Sequence, residues 1–250
     1  MQYLYTFFFF VFGLVTASFL NAQSYRWKKN FKFKKLLTLP SQCEHCGKRL
    51  KWYEMVPVIS YMFQKGVCGK CKEKISIYYP ISELFLGLSF GAMYYVNTPW
   101  YAYIVLCFLF MMAYWDYVVM GFPKILAHLL LSFTIIIYLI KYLDGGYLFA
   151  LDTGLISGIV FALLFSVMNL FYKKKAFGAG DMFVIVAVCM TLSFKQSIMF
   201  MICSVFTAVI YGIVYAVKNK RDLKFNIPFV IFLMIGFVLS LIFALPSYIC

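Results

Sequence analysis

Long runs of apolar residues, separated by short polar stretches, are the main pattern along the chain. A bilayer is crossed by a helix of about 20 apolar residues, and windows of about 17 to 20 residues predict eight such spans. Their approximate bounds are 3–21, 80–97, 100–118, 124–140, 147–171, 180–194, 197–217 and 227–246. The 180–194 span is short, and only a brief turn near residues 193–196 separates it from the next. The pattern predicts an all-α polytopic membrane protein.

The composition agrees with this prediction. Of the 250 residues, 64% are hydrophobic and only 13% are charged. A water-soluble domain of this length could not bury so much apolar surface. The first span has no basic residue before it and no small-residue cleavage pattern, so we expect it to remain as a helix and not to be removed as a signal peptide.

The positive charges predict the orientation, because lysine and arginine concentrate in cytoplasmic loops. With the N-terminus outside and eight crossings, every lysine and arginine except Lys141 and Lys195 falls on the inner side. The net charge of +14 is then explained by topology and by attraction to anionic membrane lipids, without nucleic acid as a partner. We expect a multi-pass protein of the cytoplasmic (inner) membrane. Its predicted domains are a first transmembrane helix (1–22), a cytoplasmic domain (23–79) and a seven-helix transmembrane catalytic domain (80–250).

Two C-x-x-C units, CEHC and CGKC, lie in the cytoplasmic domain. Their cysteines are Cys43, Cys46, Cys68 and Cys71. Each unit presents two thiolates to one metal ion, and four thiolates in this spacing are typical of a structural zinc site. The alternatives are two disulfides or a redox pair. A cytoplasmic location disfavours disulfides, and two units exceed what a simple oxidoreductase needs. We expect His45, inside the first unit, to be a spacer.

The nine acids divide by location. Glu44, Glu54 and Glu73 lie among lysines of the first inner loop, where a solvated surface would explain them. Glu83, Asp116 and Asp181 lie at the inner boundary of predicted spans. A charge inside a membrane is costly and usually functional, so these three acids are the candidates for chemistry.

Asp116 ends the third predicted span, and Asp181, in FGAGD, begins the sixth on the same side. Either acid alone could stabilise a helix end, Asp181 through the helix dipole. Together they form a candidate pair at one depth. Two close carboxylates in a low-dielectric site share a proton, so that one activates a water while the other polarises a carbonyl. Gly178 and Gly180 are expected to allow a non-helical approach and to leave room for a substrate backbone.

These residues resemble the type IV prepilin leader peptidases, membrane aspartic proteases of the GxGD class (the A24 prepilin peptidases). The similar segments are GLVTASFLNAQSYR near the N-terminus, the cysteine-containing loop from Cys43 to Glu83, Asp116 with Pro123 seven residues later, GAGD ending at Asp181, and IPFVIF from Ile227. The chain departs from the pattern at Val118 and Lys124, where many members carry acids. It also departs at Phe183, where many carry a lysine, and at Val230, where glycine is common.

The resemblance implies cleavage of the short basic leader of type IV prepilin-like precursors, after a glycine, on the cytoplasmic face. It implies Asp116 and Asp181 as the catalytic acids, Glu83 as a lesser supporting residue, and a zinc-binding loop. Many members also methylate the new N-terminus with S-adenosylmethionine. The sequence carries no independent sign of that cofactor, since its glycine-rich stretch does not follow a strand.

Two other classes of function stay open on the residues alone. A non-enzymatic zinc-ribbon membrane assembly factor would bind a partner through residues 23–79 and would need no acids at the membrane boundary. A quinone-linked thiol oxidoreductase would need cysteines that face outward, whereas the charge distribution predicts that they face inward.

Overall fold

A computed structural model describes residues 1–29, 40–143, 148–171, 178–219 and 228–243. Regular structure in these ranges is helical apart from two isolated β-bridges, which confirms the all-α prediction. Some predicted features lie outside the described ranges. They are residues 30–39 of the cytoplasmic domain, residue 147 of the fifth span, and residues 227 and 244–246 of the last span.

Nine α-helices and one 3₁₀ turn, Trp52–Met55, are present in the described residues. The helices are α1 (Gln2–Lys28), α2 (Ile59–Phe63), α3 (Tyr78–Tyr95), α4 (Trp100–Val119), α5 (Lys124–Leu143), α6 (Leu148–Phe171), α7 (Ala179–Cys189), α8 (Phe194–Asn219) and α9 (Phe229–Phe243).

By length and composition, three of these helices could each cross a membrane: Gln2–Lys28, Trp100–Val119 and Phe194–Lys218. Shorter apolar stretches occur at Lys124–Ile140, Gly154–Val167, Gly180–Cys189 and Phe229–Phe243. At about 1.5 Å per residue, α7 covers only about 17 Å of a hydrocarbon core that is about 30 Å thick. The turn that follows α7 is at residues 190–193, slightly before the predicted position. The count of eight spans stays a prediction.

The chain forms two compact units, Met1–Thr98 and Pro99–Cys250. In the first unit, α1 and α3 form an antiparallel pair. At one end Gln2 Nε2 donates to the carbonyl of Tyr95 (3.2 Å), and near the other end Asn21 Nδ2 donates to Ser82 Oγ (2.9 Å). Between them, a Cβ on Gly13 would lie 2.7 Å from a backbone oxygen of α3. The helices therefore approach as closely as small residues allow.

The second unit is a bundle of apolar helices. Here α9 packs against α4 and α8, and α7 packs against α5 and α6 and also touches α9. Phe110, Phe200 and Phe237 are fully buried in its core. A Cβ on Gly154 of α6 would lie 2.7 Å from the carbonyl oxygen of Cys189, so α6 and the end of α7 are in close contact. Because α9 contacts both α4 and α7, it brings these two helices close to each other.

Candidate active site and metal centre

The four cysteines of the first unit form one cluster. Their Sγ atoms all lie within 4.8 Å of one another, and Cys43 Sγ lies 3.9 Å from Cys71 Sγ. With Zn–S bonds of about 2.3 Å, the sulfurs of a tetrahedral zinc site are about 3.8 Å apart. None of the four forms a disulfide, and His45 is not part of the cluster. The donor set and its spacing fit one zinc ion.

The two C-x-x-C units adopt the same backbone turn. In each, the N–H of the first cysteine donates to the carbonyl five residues later, at 2.9 Å in both. The residue after the second cysteine has a positive φ in both, 66° at Gly47 and 60° at Lys72. Backbone N–H groups of Cys71 and then Lys70 bond to Cys68 and lower the pKa of its thiol to about 6. The second turn therefore favours the thiolate form at Cys68, whereas at Cys71 a backbone hydrogen bond that lowers the pKa is outweighed by partial desolvation and the neighbouring cysteines, which raise the pKa of that thiol to about 11.

Glu54 connects the first cysteine turn to the 3₁₀ turn. Its Oε1 lies 2.6 Å from Lys48 Nζ, and its Oε2 accepts the N–H of Lys51 at 2.9 Å. The hydrogen bond from Lys48 is the main reason that the pKa of Glu54 lies below its ordinary value. The expectation of a solvated surface acid is wrong for Glu54, because its side chain is buried within this ion pair.

Glu83 is buried in α3 and binds the backbone of the cysteine-containing loop. Its Oε2 accepts the N–H of Val58 at 2.8 Å, and the Ser18 hydroxyl of α1 also bonds to it. Val58 precedes α2 and has a φ of 61°, which is rare for a β-branched residue. The observed contact of Glu83 is thus with a backbone group at the start of α2.

A cavity of about 310 Å³ adjoins both Glu83 and the cysteines within the first unit. Asn21, Arg26 and Tyr79 contribute to its wall. Asn21 is buried, and its Oδ1 has no hydrogen-bond partner. A buried acceptor of this kind is usually satisfied by an ordered water or a polar ligand group.

Asp116 lies buried in the last turn of α4. Its Oδ2 accepts the backbone N–H of Val230 at 3.0 Å, across 114 residues of sequence. Val230 is the second residue of α9, so the carboxylate of Asp116 lies at a helix N-terminus, where the dipole stabilises negative charge. No sequence pattern pairs Asp116 with Val230, although Pro228 in front of an apolar run is a signal for a helix start.

Asp181 lies in the first turn of α7. Its Oδ2 accepts the N–H of Gly178 at 3.1 Å, so it caps its own helix. The charge of Asp116 acts on Asp181. Two acids that are distant in sequence thus interact electrostatically within the second unit, and their common depth in the membrane stays a prediction.

The two glycines before Asp181 differ from each other. Gly178 is extended, with φ −71° and ψ 147°, whereas Gly180 lies inside α7. The expectation of a non-helical backbone is therefore wrong for Gly180. A Cβ on Gly180 would lie 2.8 Å from the ring tip of Phe122. The ring of Phe122 therefore packs against α7 next to Asp181. No sequence pattern indicated this residue.

Comparisons with known proteins agree with this picture. A family model described as Bacterial Peptidase A24 N-terminal domain matches residues 11–97. The chain is 30% identical over 190 residues to the "Prepilin leader peptidase/N-methyltransferase" of Vibrio cholerae serotype O1, covering 72% of this chain and 75% of that protein. Proteins of the same name from Bacillus subtilis and Neisseria gonorrhoeae are 24% and 28% identical. These matches cover 94% and 86% of this chain, and 92% and 84% of the relatives. No solved structure matches the chain.

Proposed function

The chain belongs to the prepilin leader peptidase/N-methyltransferase family, and on that premise we propose that it is a membrane aspartic endopeptidase. Its proposed substrates are type IV prepilin-like precursors, whose short basic leader it removes by cleavage after a glycine. The observation that carries the proposal is that the charge of Asp116 acts on Asp181, so that two acids from different helices interact electrostatically. The names of the relatives support the substrate class.

The proposed chemistry uses one proton shared between the two acids. The ionised member takes a proton from a water, whose oxygen adds to the scissile carbonyl carbon, while the protonated member donates a hydrogen bond to the carbonyl oxygen. The C–N bond then breaks, and the proton goes to the leaving amine. Because each acid is anchored through Oδ2, we assign Oδ1 of each to water and substrate. The proton belongs to the pair and is not assigned to one residue.

The positions of the acids suit such a substrate. Asp116 lies in the last turn of one apolar helix and Asp181 in the first turn of another. The scissile bond of a precursor lies where its own membrane helix meets the cytoplasm. With the N-terminus outside, both acids would lie at this cytoplasmic boundary of the inner membrane.

The remaining site residues have supporting roles in this proposal. Four cysteine thiolates complete a tetrahedron and leave no open position for a reacting water, so zinc would stabilise the fold and would not catalyse. Glu83 would hold the backbone of the zinc-binding domain at Val58. The proposed bounds of that domain are 23–79. Gly180 would keep space beside Asp181, and Gly178 would supply the capping N–H.

We also propose that the new N-terminus is methylated, because the relatives' names include N-methyltransferase. S-adenosylmethionine would then be the methyl donor. The described residues contain no strand that could precede a glycine-rich nucleotide-binding turn, because their only strand-type pairs are the two isolated bridges. We therefore assign no residue to methyl transfer. Mass spectrometry of the processed N-terminus, with and without the donor, would detect one added methyl group.

The cleavage proposal is tested with two isosteric variants, Asp116→Asn and Asp181→Asn, in proteoliposomes that contain a synthetic prepilin precursor. Each should lower the cleavage rate by roughly a thousandfold or more, as loss of one member of a catalytic unit does. The matched control is Glu73→Gln, an exposed acid that should retain full activity. If either aspartate variant cleaves at the wild-type rate, the pair is not catalytic. A zinc-ribbon assembly factor would tolerate both substitutions.

A further inference from the structure

The zinc-binding part of the first unit exposes a group of large apolar side chains. Trp52 is 77% exposed, Met62 71% and Phe63 85%, and Ile59 is about half exposed. Ile59, Met62 and Phe63 stand at positions i, i+3 and i+4 of α2, so they share one face of that helix. We call Trp52, Ile59, Met62 and Phe63 the apolar face. Side chains of this size and exposure indicate an interaction surface.

The residues of the apolar face come from two adjoining segments, because the 3₁₀ turn that carries Trp52 packs against α2. The ring of Trp52 meets the ring of the neighbouring Tyr53 edge-on, with centroids 5.8 Å apart. The exposed apolar side chains are thus concentrated within residues 52–63.

Basic side chains surround this face. Residues 40–77 contain seven lysines and arginines against three glutamates. Lys51 directly precedes Trp52, and its Nζ lies 5.7 Å from the centre of the Tyr53 ring. Lys65, two residues after α2, is exposed. Tryptophan and tyrosine beside lysine is the composition of a membrane–water interface, and lysine attracts the anionic lipids of the cytoplasmic leaflet.

The chain connection keeps this face close to a membrane. The second cysteine turn closes at the Val67–Lys74 bridge, and α3 begins at Tyr78. Lys74 and Tyr78 are four residues apart in the chain and therefore at most about 14 Å apart. Ile77 is 64% exposed and Ile81, in the first turn of α3, is also exposed. Because α3 pairs with α1, whose length and composition would let it cross a membrane, a bilayer around α1 keeps the zinc-binding part close to the lipid headgroups.

We propose that the apolar face docks onto the anionic inner leaflet, with Trp52, Met62 and Phe63 inserted at the boundary between headgroups and acyl chains. Lys51 and Lys65 then lie among the headgroups. This is the arrangement of an interfacial, non-spanning element. The proposal does not depend on cleavage activity, since it rests only on exposed residues of the first unit and on α1 as its membrane-spanning helix.

The test places a photoreactive p-benzoylphenylalanine at Phe63 in the full-length, zinc-loaded protein. The protein is reconstituted into nanodiscs of phosphatidylcholine and phosphatidylglycerol and irradiated, and the adducts are identified by mass spectrometry. The expected result is a phospholipid adduct at Phe63→p-benzoylphenylalanine, with a lower yield in discs of phosphatidylcholine alone. The matched control is Arg49→p-benzoylphenylalanine, an exposed position in the first cysteine turn that should give much less lipid adduct.

Other outcomes would overturn the proposal. An adduct to another segment of the same chain, to a second copy or to an added precursor would identify a protein partner for the apolar face. Equal lipid labelling at both positions, or no adduct at either, would also contradict a defined docking face. If Phe63→p-benzoylphenylalanine loses zinc or fails to accumulate, Met62→p-benzoylphenylalanine gives the same reading from the neighbouring exposed position.

Discussion

The two units of the chain use polar side chains in different ways. In the Met1–Thr98 unit several of them join separate segments, as in the bonds from Asn21 to Ser82 and from Val58 to Glu83, although some hydroxyls there bond within their own helix. In the Pro99–Cys250 unit most described hydroxyls bond to a carbonyl of their own helix, as Ser204 does at 2.6 Å. The bonds from Ser166 to Met182 and from the Val230 N–H to Asp116 join helices of that unit, and only the second of these two bonds involves an acid.

This difference separates structural polar groups from candidate functional ones. A serine or threonine that bonds back within its helix satisfies its own hydroxyl and adds little to tertiary structure. The second unit therefore depends mainly on apolar packing, and a buried acid there is a candidate for function. The first unit is small and depends on polar contacts, and its cluster of four cysteines would add a zinc ion to them.

Among the changes considered, removal of zinc should destabilise the protein most. It should destabilise the Met1–Thr98 unit much more than the Pro99–Cys250 unit. Structural zinc contributes apparent binding energies of roughly 10–16 kcal/mol in small zinc domains. Cys43→Ser should abolish zinc binding and make residues 40–77 sensitive to protease, while α4 to α9 stay protected. Metal analysis and hydrogen exchange check this, with Cys107→Ser, outside the cluster, as the control. Equal loss of protection in both units would contradict the division.

The second largest effect is expected when Asp116 loses the hydrogen bond from the backbone N–H of Val230. This change should reduce the cleavage rate. Val230→Pro eliminates the N–H, and a hydrogen bond to a charged group contributes about 1.5–3 kcal/mol, which corresponds to roughly tenfold to a hundredfold in rate. Val230→Ala keeps the N–H and controls for the lost side-chain volume. Both are assayed with the synthetic precursor at matched protein levels. If the alanine variant loses as much activity as the proline variant, packing and not the N–H supports Asp116.

Loss of the acceptor at Glu83 should destabilise the first unit moderately. Glu83→Leu leaves the Val58 N–H unpaired, which costs about 1–3 kcal/mol, whereas Glu83→Gln keeps an oxygen in the same place. The measurement is hydrogen exchange of residues 56–63, together with a partial loss of cleavage. Unchanged exchange in Glu83→Leu would show that this contact does not hold the loop.

The smallest effect is expected at Gly180. A Cβ there meets only the tip of the Phe122 ring, which can move, so Gly180→Ala should fold and lose activity only a few-fold. If the glycine serves this contact alone, adding Phe122→Ala should restore cleavage. If the glycine leaves room for the substrate backbone, the double variant should stay impaired. A Gly180→Ala protein that does not accumulate would contradict both explanations.

Local patterns in the sequence predicted much of this arrangement. The C-x-x-C spacing predicted the cluster of four cysteines. The positions of Asp116, Asp181 and Glu83 at the ends of apolar runs made these acids the candidates for chemistry. The neighbours of Asp116 and Gly180 could not be predicted from local patterns. Val230 is distant from Asp116 in sequence, and two helices, α5 and α6, lie between Phe122 and Gly180. The burial of Glu54 was also missed, since a charge among lysines gives no sign of an ion pair. Hydropathy likewise overestimated the length of α7.

The central claim is that Asp116 and Asp181 act as one unit, and a double-mutant cycle tests it most directly. Cleavage rates of the synthetic precursor are compared in proteoliposomes for wild type, Asp116→Asn, Asp181→Asn and the double variant, at equal zinc content. If the two acids share one proton, the double variant should cleave no more slowly than the slower single variant, because either loss already disables the pair. Wild-type activity in either single variant, or losses that multiply in the double variant, would contradict it.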